Sequence, residues 1–189
     1  MHTSVLLQPA LEALELTDGD TFVDATLGEG GHSQAVCTEY GPTIRLVGID
    51  ADPAQLTTGG QRVREAGCDI TLIEGNYRFI DDLLIQHGVS EPTKILFDLG
   101  WSKRQFEESG RGFSFRLDEP LDMRLAPRGT AITAADIVNN WDEEALATII
   151  RGYGEERYAR RIARAIVEQR QVKQITTTSE LSELVVGAT

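Results

Sequence analysis

A cluster of glycines between a short apolar stretch and a helical pattern limits most strongly what this chain can fold into. The apolar residues 21–25 predict a buried strand, because β-branched and aromatic side chains favour extended backbone. The apolar run breaks at Gly28, and a helical pattern begins near His32. Glycines at such a joint allow a tight turn and let a ligand approach the main chain. The N–H groups at the start of the helix would then point toward that ligand.

A carboxylate follows this turn at a sequence spacing that is typical of nucleotide-binding sheets. A second apolar run, residues 44–49, ends at Asp50, about twenty residues after the glycines. In nucleotide-binding sheets of the Rossmann type, a carboxylate at this spacing binds the hydroxyls of a ribose. We therefore interpret the first half of the chain as a nucleoside-binding fold. The glycines do not form a G-x-G-x-x-G pattern, so an ordinary strand–turn–helix corner stays open, and the missing Gly-Lys-Ser/Thr disfavours a P-loop.

Strand-like and helical patterns alternate along the first hundred residues. Strands are predicted at 21–25, 44–49, 70–73 and 95–97, and helices at 4–16, 32–39, from position 52 onward and at 80–87. This alternation predicts an α/β protein with a Rossmann-like, doubly wound parallel sheet that binds ligands at the carboxyl ends of its strands. The residues at those ends are Asp24, Gly28, Asp50, Tyr77 and Asp98.

The sequence pattern changes after position 100. Residues 101–130 are rich in Gly, Pro and charge, which predicts a long ordered loop. Helical spacing covers 132–141, 143–151, 155–171 and 178–186, with Thr178 and Ser179 as candidate caps of the last helix. We therefore expect a cofactor-binding domain over residues 1–105 and a loop plus a helical substrate-recognition subdomain over residues 106–189.

Charge and cysteine content limit the class of protein. The net charge of −12 is uneven: residues 1–100 carry 5 Lys/Arg and 16 Asp/Glu, whereas residues 151–173 carry 7 basic and 3 acidic residues. The chain has no apolar run of the roughly 18 residues that a membrane span needs, and its start lacks a signal-peptide pattern. Cys37 and Cys68 are far apart in sequence, which we interpret as a reducing cytoplasm without a zinc site.

Several segments are more specific than the glycine turn alone. They are His2-Thr3-Ser4-Val5-Leu6-Leu7, Gly28-Glu29-Gly30-Gly31-His32-Ser33, Arg111-Gly112-Phe113-Ser114-Phe115, Pro120-Leu121-Asp122-Met123-Arg124, Tyr153-Gly154-Glu155-Glu156-Arg157 and Arg161-Ile162-Ala163-Arg164-Ala165-Ile166-Val167-Glu168. Together they resemble the RsmH (MraW) family of ribosomal RNA small-subunit methyltransferases over essentially the whole chain.

The resemblance implies S-adenosylmethionine-dependent methylation of the exocyclic N4 of a cytidine in the decoding centre of small-subunit ribosomal RNA, without a metal. The site residues that it implies are Gly30, Gly31 and His32 beside the methionine end of the cofactor, Asp50 on the ribose, Tyr77 against the adenine, and Asp98 and Gln105. A carboxylate suits a ribose diol because it can accept both hydroxyl hydrogen bonds. Asp98 is either the catalytic group that orients the cytosine amine or only a cofactor ligand.

Other residues keep two interpretations. His32 is either a hydrogen-bonding residue at a helix start or a ligand contact. Phe113 and Phe115 either stack on a flipped-out base or, as we favour, fix their loop to the core. The arginines of the later half either contact RNA phosphates or form a solvated helix face; they are Arg157, Arg160, Arg161, Arg164 and Arg170.

The chain departs from the family pattern in two ways. The resemblance implies Asp-Leu-Gly-Val-Ser-Ser-Pro-Gln where this chain has Trp101 and Lys103 between Asp98 and Gln105, which puts substrate geometry in doubt. The chain also stops inside a predicted helix where family members continue. We therefore expect an exposed apolar edge at the fourth strand and, through it, a homodimer.

Two other functions compete with methyl transfer. An RNA-binding or assembly protein that keeps the fold without turnover would fit the changes at Trp101 and Lys103. A nicotinamide-dependent oxidoreductase would require the G-x-G-x-x-G turn that this chain lacks.

Overall fold

The computed structural model describes residues 4–100, 106, 109–125 and 131–189. Trp101, Lys103 and Gln105 lie outside the described residues. The chain divides into two compact units, residues 1–100 and 101–189.

The first unit contains a parallel four-stranded sheet. Its strands are β1 (Thr21–Asp24), β2 (Arg45–Asp50), β3 (Ile70–Glu74) and β4 (Lys94–Leu96), in the order β3-β2-β1-β4. All three strand pairs are parallel. The strand order reverses beside β1, which is where a doubly wound sheet binds its ligand. The predicted α/β fold with a Rossmann-like parallel sheet is confirmed.

Four helices flank this sheet: α1 (Leu7–Leu14), α2 (Gly31–Tyr40), α3 (Pro53–Glu65) and α4 (Ile80–Gln86). The predicted start of α3 is confirmed, since the Asp52 carboxylate accepts the Ala54 N–H and proline occupies the first helical position. Successive residues of β1 pack into different clusters, Phe22 with α2 and α3 and Val23 with α4. The sheet is therefore covered by apolar side chains on both faces.

Strand β4 lies at an edge of the sheet, and Ile95 is 40% exposed there. The strand covers Lys94–Leu96, one residue earlier than predicted. Its exposed apolar side chain is the feature on which the expected homodimer rests, and the homodimer stays a prediction.

The two cysteines were misinterpreted from the sequence. Cys37 on α2 and Cys68 after α3 form a disulfide that closes a separation of 31 residues. Both side chains are buried in the core between these helices. Because disulfides persist mainly in oxidising environments, the cysteines give no support to a reducing compartment.

In its described residues, the second unit is built on four helices: α5 (Ala134–Asn140), α6 (Glu143–Gly154), α7 (Ala159–Val172) and α8 (Thr178–Ala188). Their apolar faces form one core around Leu146, Ile162 and Ile166. Helix α7 begins four residues later than predicted, because Glu155 adopts a left-handed conformation that ends α6. The cap of α8 is Thr177 rather than Thr178 or Ser179, and it forms a capping box with Glu180.

Residues 109–125 contain no helix or regular strand, as expected for a loop. The loop is fixed to α8 because the Glu119 carboxylate accepts the Gly112 N–H, and the Glu119 N–H donates to the Thr178 hydroxyl. Phe113 is 8% exposed, so the interpretation that it fixes the loop is confirmed. Phe115 is 77% exposed, so the same interpretation is wrong for Phe115.

No helix in the described part of the chain is both long and apolar enough to cross a membrane.

Candidate functional site

The glycine turn after β1 is held by a close backbone contact with α3. Gly30 has φ +75°, and a Cβ built on it would lie 2.7 Å from the Gly59 carbonyl oxygen. Gly59 in turn leaves no room for a Cβ, which would lie 2.6 Å from the Gly28 carbonyl oxygen. A Cβ on Gly31 would collide with the Ser4 hydroxyl. The turn therefore needs glycine at position 30, for conformation and for space, whereas a side chain at position 31 would require Ser4 to move.

Asp50 at the end of β2 fixes the same turn. One carboxylate oxygen accepts the Gly28 N–H at 2.8 Å, and the other accepts the Asp52 N–H at 2.8 Å. Burial raises the pKa of Asp50, and these N–H bonds oppose the rise. The Ala51 N–H is a further backbone donor to this carboxylate. Since a carboxylate has about four acceptor positions, Asp50 keeps acceptor capacity for a ligand beside the turn.

Asp24 at the end of β1 supports the turn from inside. Its carboxylate is 1% exposed and accepts the Ser33 hydroxyl at 2.8 Å and the Thr26 N–H at 3.3 Å. Burial raises the pKa of Asp24 to about 6, against an ordinary value of 3.8. Asp24 therefore fixes the geometry of the corner through these hydrogen bonds rather than facing a ligand.

His32 and Asp98 meet above the turn. The Nδ1 atom of His32 lies 3.8 Å from the Asp98 carboxylate, and its Nε2 atom lies 3.3 Å from the Val5 carbonyl oxygen. The Asp98 side chain is 47% exposed, whereas the His32 side chain is 7% exposed. The Asp98 N–H donates to the Thr26 hydroxyl at 2.7 Å, which fixes the end of β4 over the end of β1. His32 is thus a hydrogen-bonding residue at the start of α2 that also faces the Asp98 carboxylate.

An aromatic pair stands at the same edge of the sheet. Tyr77 and Phe97 contact each other edge to face, with ring centroids 5.7 Å apart, and each is 44% exposed. Tyr77 follows β3 and Phe97 follows β4, which are the two outer strands of the sheet. Their contact therefore passes over the ends of the inner strands β2 and β1. Two half-exposed rings at a ligand-binding edge offer a stacking surface for a flat base.

The structure brings six of the seven sequence-predicted site residues to the carboxyl edge of one sheet, and Gln105 lies outside the described residues. Sequence reasoning missed three contributors to this edge: Phe97, Thr26 and the Val5 carbonyl. Of these, only Phe97 could have been found from the sequence, because it directly precedes Asp98 at a strand end.

Among the described residues, no group of three or more His, Cys, Asp or Glu side chains could hold a metal ion.

The five arginines that the sequence suggests as RNA contacts fall into two groups. Arg170 donates to the Val138 and Trp141 carbonyl oxygens, and Arg164 lies 3.6 Å from the Glu143 carboxylate. Arg157, Arg160 and Arg161 are exposed, and no described carboxylate lies within ion-pair distance of them. Arg170 therefore has a structural role, and the other three remain available to a partner.

Comparisons with known proteins identify the family of the chain. The profile of the MraW methylase family matches residues 1–189. The chain is similar to proteins named ribosomal RNA small subunit methyltransferase H. The protein from Deinococcus deserti is 48% identical over 98% of this chain and 59% of its own length. Those from Symbiobacterium thermophilum and Mycolicibacterium smegmatis are 42% and 45% identical over 99% of this chain, and over 58% and 52% of their own lengths. This chain therefore spans between half and three fifths of the length of these relatives.

Proposed function

Because this chain belongs to the MraW methylase family, we propose that it takes part in S-adenosylmethionine-dependent methylation of small-subunit ribosomal RNA. The acceptor is the exocyclic N4 of a cytidine in the decoding centre. The observation that carries this proposal is Asp50, whose carboxylate is fixed by backbone N–H groups and keeps acceptor capacity beside the glycine turn.

The residues at this edge fit the three parts of the cofactor. Asp50 accepts the two ribose hydroxyls, and such charge-assisted hydrogen bonds contribute roughly 1.5–3 kcal/mol. Tyr77 presents a half-exposed ring to the adenine. Gly30, Gly31 and His32 line the methionine end, where glycines let the ligand approach the backbone. Gln105 completes the site as the resemblance implies.

Asp98 is the residue that we propose to act on the substrate. The cofactor, when bound, supplies a methyl group on a positively charged sulfur. The amino group of cytosine is a weak nucleophile, because its lone pair is delocalised into the ring. The half-exposed Asp98 carboxylate can accept a hydrogen bond from that amine, which orients it and stabilises the positive charge that develops on it. The buried His32 ring lies beside this carboxylate, with its Nδ1 atom at 3.8 Å.

A labelled-methyl transfer assay tests the proposal. The substrates are small ribosomal subunits that lack the modification and, separately, the naked ribosomal RNA. We expect transfer to one of them, with N4-methylcytidine as the only modified nucleoside. Asp98→Asn should abolish transfer, whereas Asp81→Asn, which changes an exposed carboxylate on α4, should not. Calorimetry with S-adenosylmethionine measures cofactor binding independently. The absence of both binding and transfer would refute the proposal.

A further inference from the structure

The end of α6 carries an aromatic side chain that packing does not explain. Tyr153 is 92% exposed, more than any other large apolar side chain in the described ranges. Its neighbours Gly152 and Gly154 have room for a Cβ, and neither has a positive φ. Glycine destabilises a helix relative to alanine, yet neither space nor backbone conformation requires it here. The high exposure of the tyrosine ring leaves it open to a ligand.

A cluster of arginines follows this ring within a few residues. Residues 157–164 contain four arginines and no acidic residue, in a chain whose net charge is −12. The guanidinium groups of Arg157 and Arg161 lie over the Tyr158 ring, at 4.5 Å and 5.3 Å from its centroid. Arg157 is four residues from Tyr153, so their Cα atoms are at most about 14 Å apart. The ring and the first guanidinium group can therefore contact adjacent groups of one nucleic-acid strand.

The positions of these arginines destabilise α7. Arg160 and Arg161 occupy the first turn of α7, which contains no acidic residue. Cations at a helix N-terminus are unfavourable because the helix dipole is positive there, and like charges three or four residues apart repel each other. A bound polyanion would relieve both effects.

We propose that Tyr153, Arg157, Arg160 and Arg161 form a binding surface for an unpaired segment of the RNA substrate. The Tyr153 ring stacks on one base, and the three guanidinium groups contact the phosphates on either side of it. This inference rests on the proposed function, because it names where that substrate binds. An exposed aromatic ring beside phosphate-binding arginines favours a single strand over a duplex, whose bases are already stacked.

Fluorescence anisotropy with the full chain and a fluorescein-labelled single-stranded RNA of about 12 nucleotides tests the aromatic contact. Tyr153→Ala should weaken binding about tenfold, which is the order of loss expected for one base–aromatic stack. Tyr153→Phe should keep nearly all of the affinity, because the ring remains. Val172→Ala is the matched control, since Val172 is 84% exposed at the other end of α7.

The salt dependence of binding tests the phosphate contacts. Replacing Arg157, Arg160 and Arg161 by glutamine should reduce the slope of log affinity against log salt by about 2, at roughly 0.7 per phosphate on a single strand. The matched control removes three positive charges from the first unit, by Arg45→Gln, Arg78→Gln and Lys94→Gln, and should leave the slope nearly unchanged. Thermal unfolding of each variant verifies that it is folded.

The outcomes separate this surface from the proposed function. RNA binding by the wild-type chain that none of the Tyr153 or arginine variants weakens would refute the surface and leave the proposed function standing. Failure of the wild-type chain to bind the RNA would also refute it, whereas calorimetry with S-adenosylmethionine reports separately on the cofactor site. Binding to vesicles of phosphatidylglycerol that exceeds RNA binding and depends on the same arginines would assign the surface to a membrane instead.

Discussion

Replacing Asp24 by asparagine should make the protein more stable at alkaline pH and less stable at acid pH. The Asp24 carboxyl is 1% exposed, and burial raises its pKa from 3.8 to about 6. A pKa raised by folding means that the folded chain binds the proton more tightly than the unfolded chain. The stabilisation by this group is therefore complete below pH 4 and is lost as the pH rises through about 6.

The size of the effect follows from the same values. A rise from 3.8 to about 6 corresponds to about 3 kcal/mol, at 1.36 kcal/mol per pKa unit. Asparagine is neutral at every pH and can still accept the Ser33 hydroxyl, but its NH₂ group then faces the Thr26 N–H. The lost hydrogen bond costs about 1 kcal/mol. We therefore expect Asp24→Asn to stabilise the protein by about 2 kcal/mol at pH 8 and to destabilise it by about 1 kcal/mol near pH 4.

Urea unfolding of the wild-type protein and of Asp24→Asn near pH 4 and pH 8 measures both values. Other carboxyl groups also titrate in this range, but they cancel in the difference between the two proteins. Asp18→Asn is the matched control because Asp18 is exposed. If the unfolding free energies of the wild-type protein and Asp24→Asn differ by the same sign and size at both pH values, burial does not raise the pKa of Asp24.

Three further predictions concern the site and its supports. Asp50→Ala should weaken S-adenosylmethionine binding about ten- to hundredfold in calorimetry; an unchanged affinity would remove Asp50 from the site. Gly30→Ala should destabilise the protein by at least about 1–2 kcal/mol, because of its left-handed φ and the contact with Gly59; urea midpoints equal to those of the wild-type protein would contradict this. A reducing agent should destabilise the protein by roughly 3–4 kcal/mol through the loop closed by Cys37 and Cys68, and should not affect the variant with both cysteines replaced by serine; equal sensitivity of the two proteins would refute it.

Local patterns were sufficient to predict the sheet and the edge that carries the site. Every strand lies within one residue of its predicted position, because apolar runs bounded by Gly, Asp and Pro mark strand ends. The parallel arrangement then brings strand ends to one edge, so Asp50 and Asp98 could be assigned to one site before any contact was known.

Features that depend on tertiary contacts could not be predicted in this way. Phe113 and Phe115 share one loop and one residue type, yet only Phe113 reaches the core. Arg170 has the same local surroundings as the exposed arginines, but its partners are carbonyl oxygens about thirty positions earlier, at Val138 and Trp141. The Cys37–Cys68 bond likewise requires the packing of α2 against α3. Sequence spacing carries no information on such contacts.

The pairing of β1 separates the assembly of the site into an early and a late step. Phe22 pairs with Leu46 on β2, 24 residues away, and with Lys94 on β4, 72 residues away. Because closing a longer loop costs more entropy, β1, β2 and β3 can form a folding nucleus before β4 joins them. The Asp50 carboxylate then belongs to the nucleus, whereas the Asp98 carboxylate arrives with the last strand. Hydrogen exchange should show amides of β4 opening while those of β2 stay protected, so that the part of the edge that carries Asp50 stays ordered when the part that carries Asp98 opens.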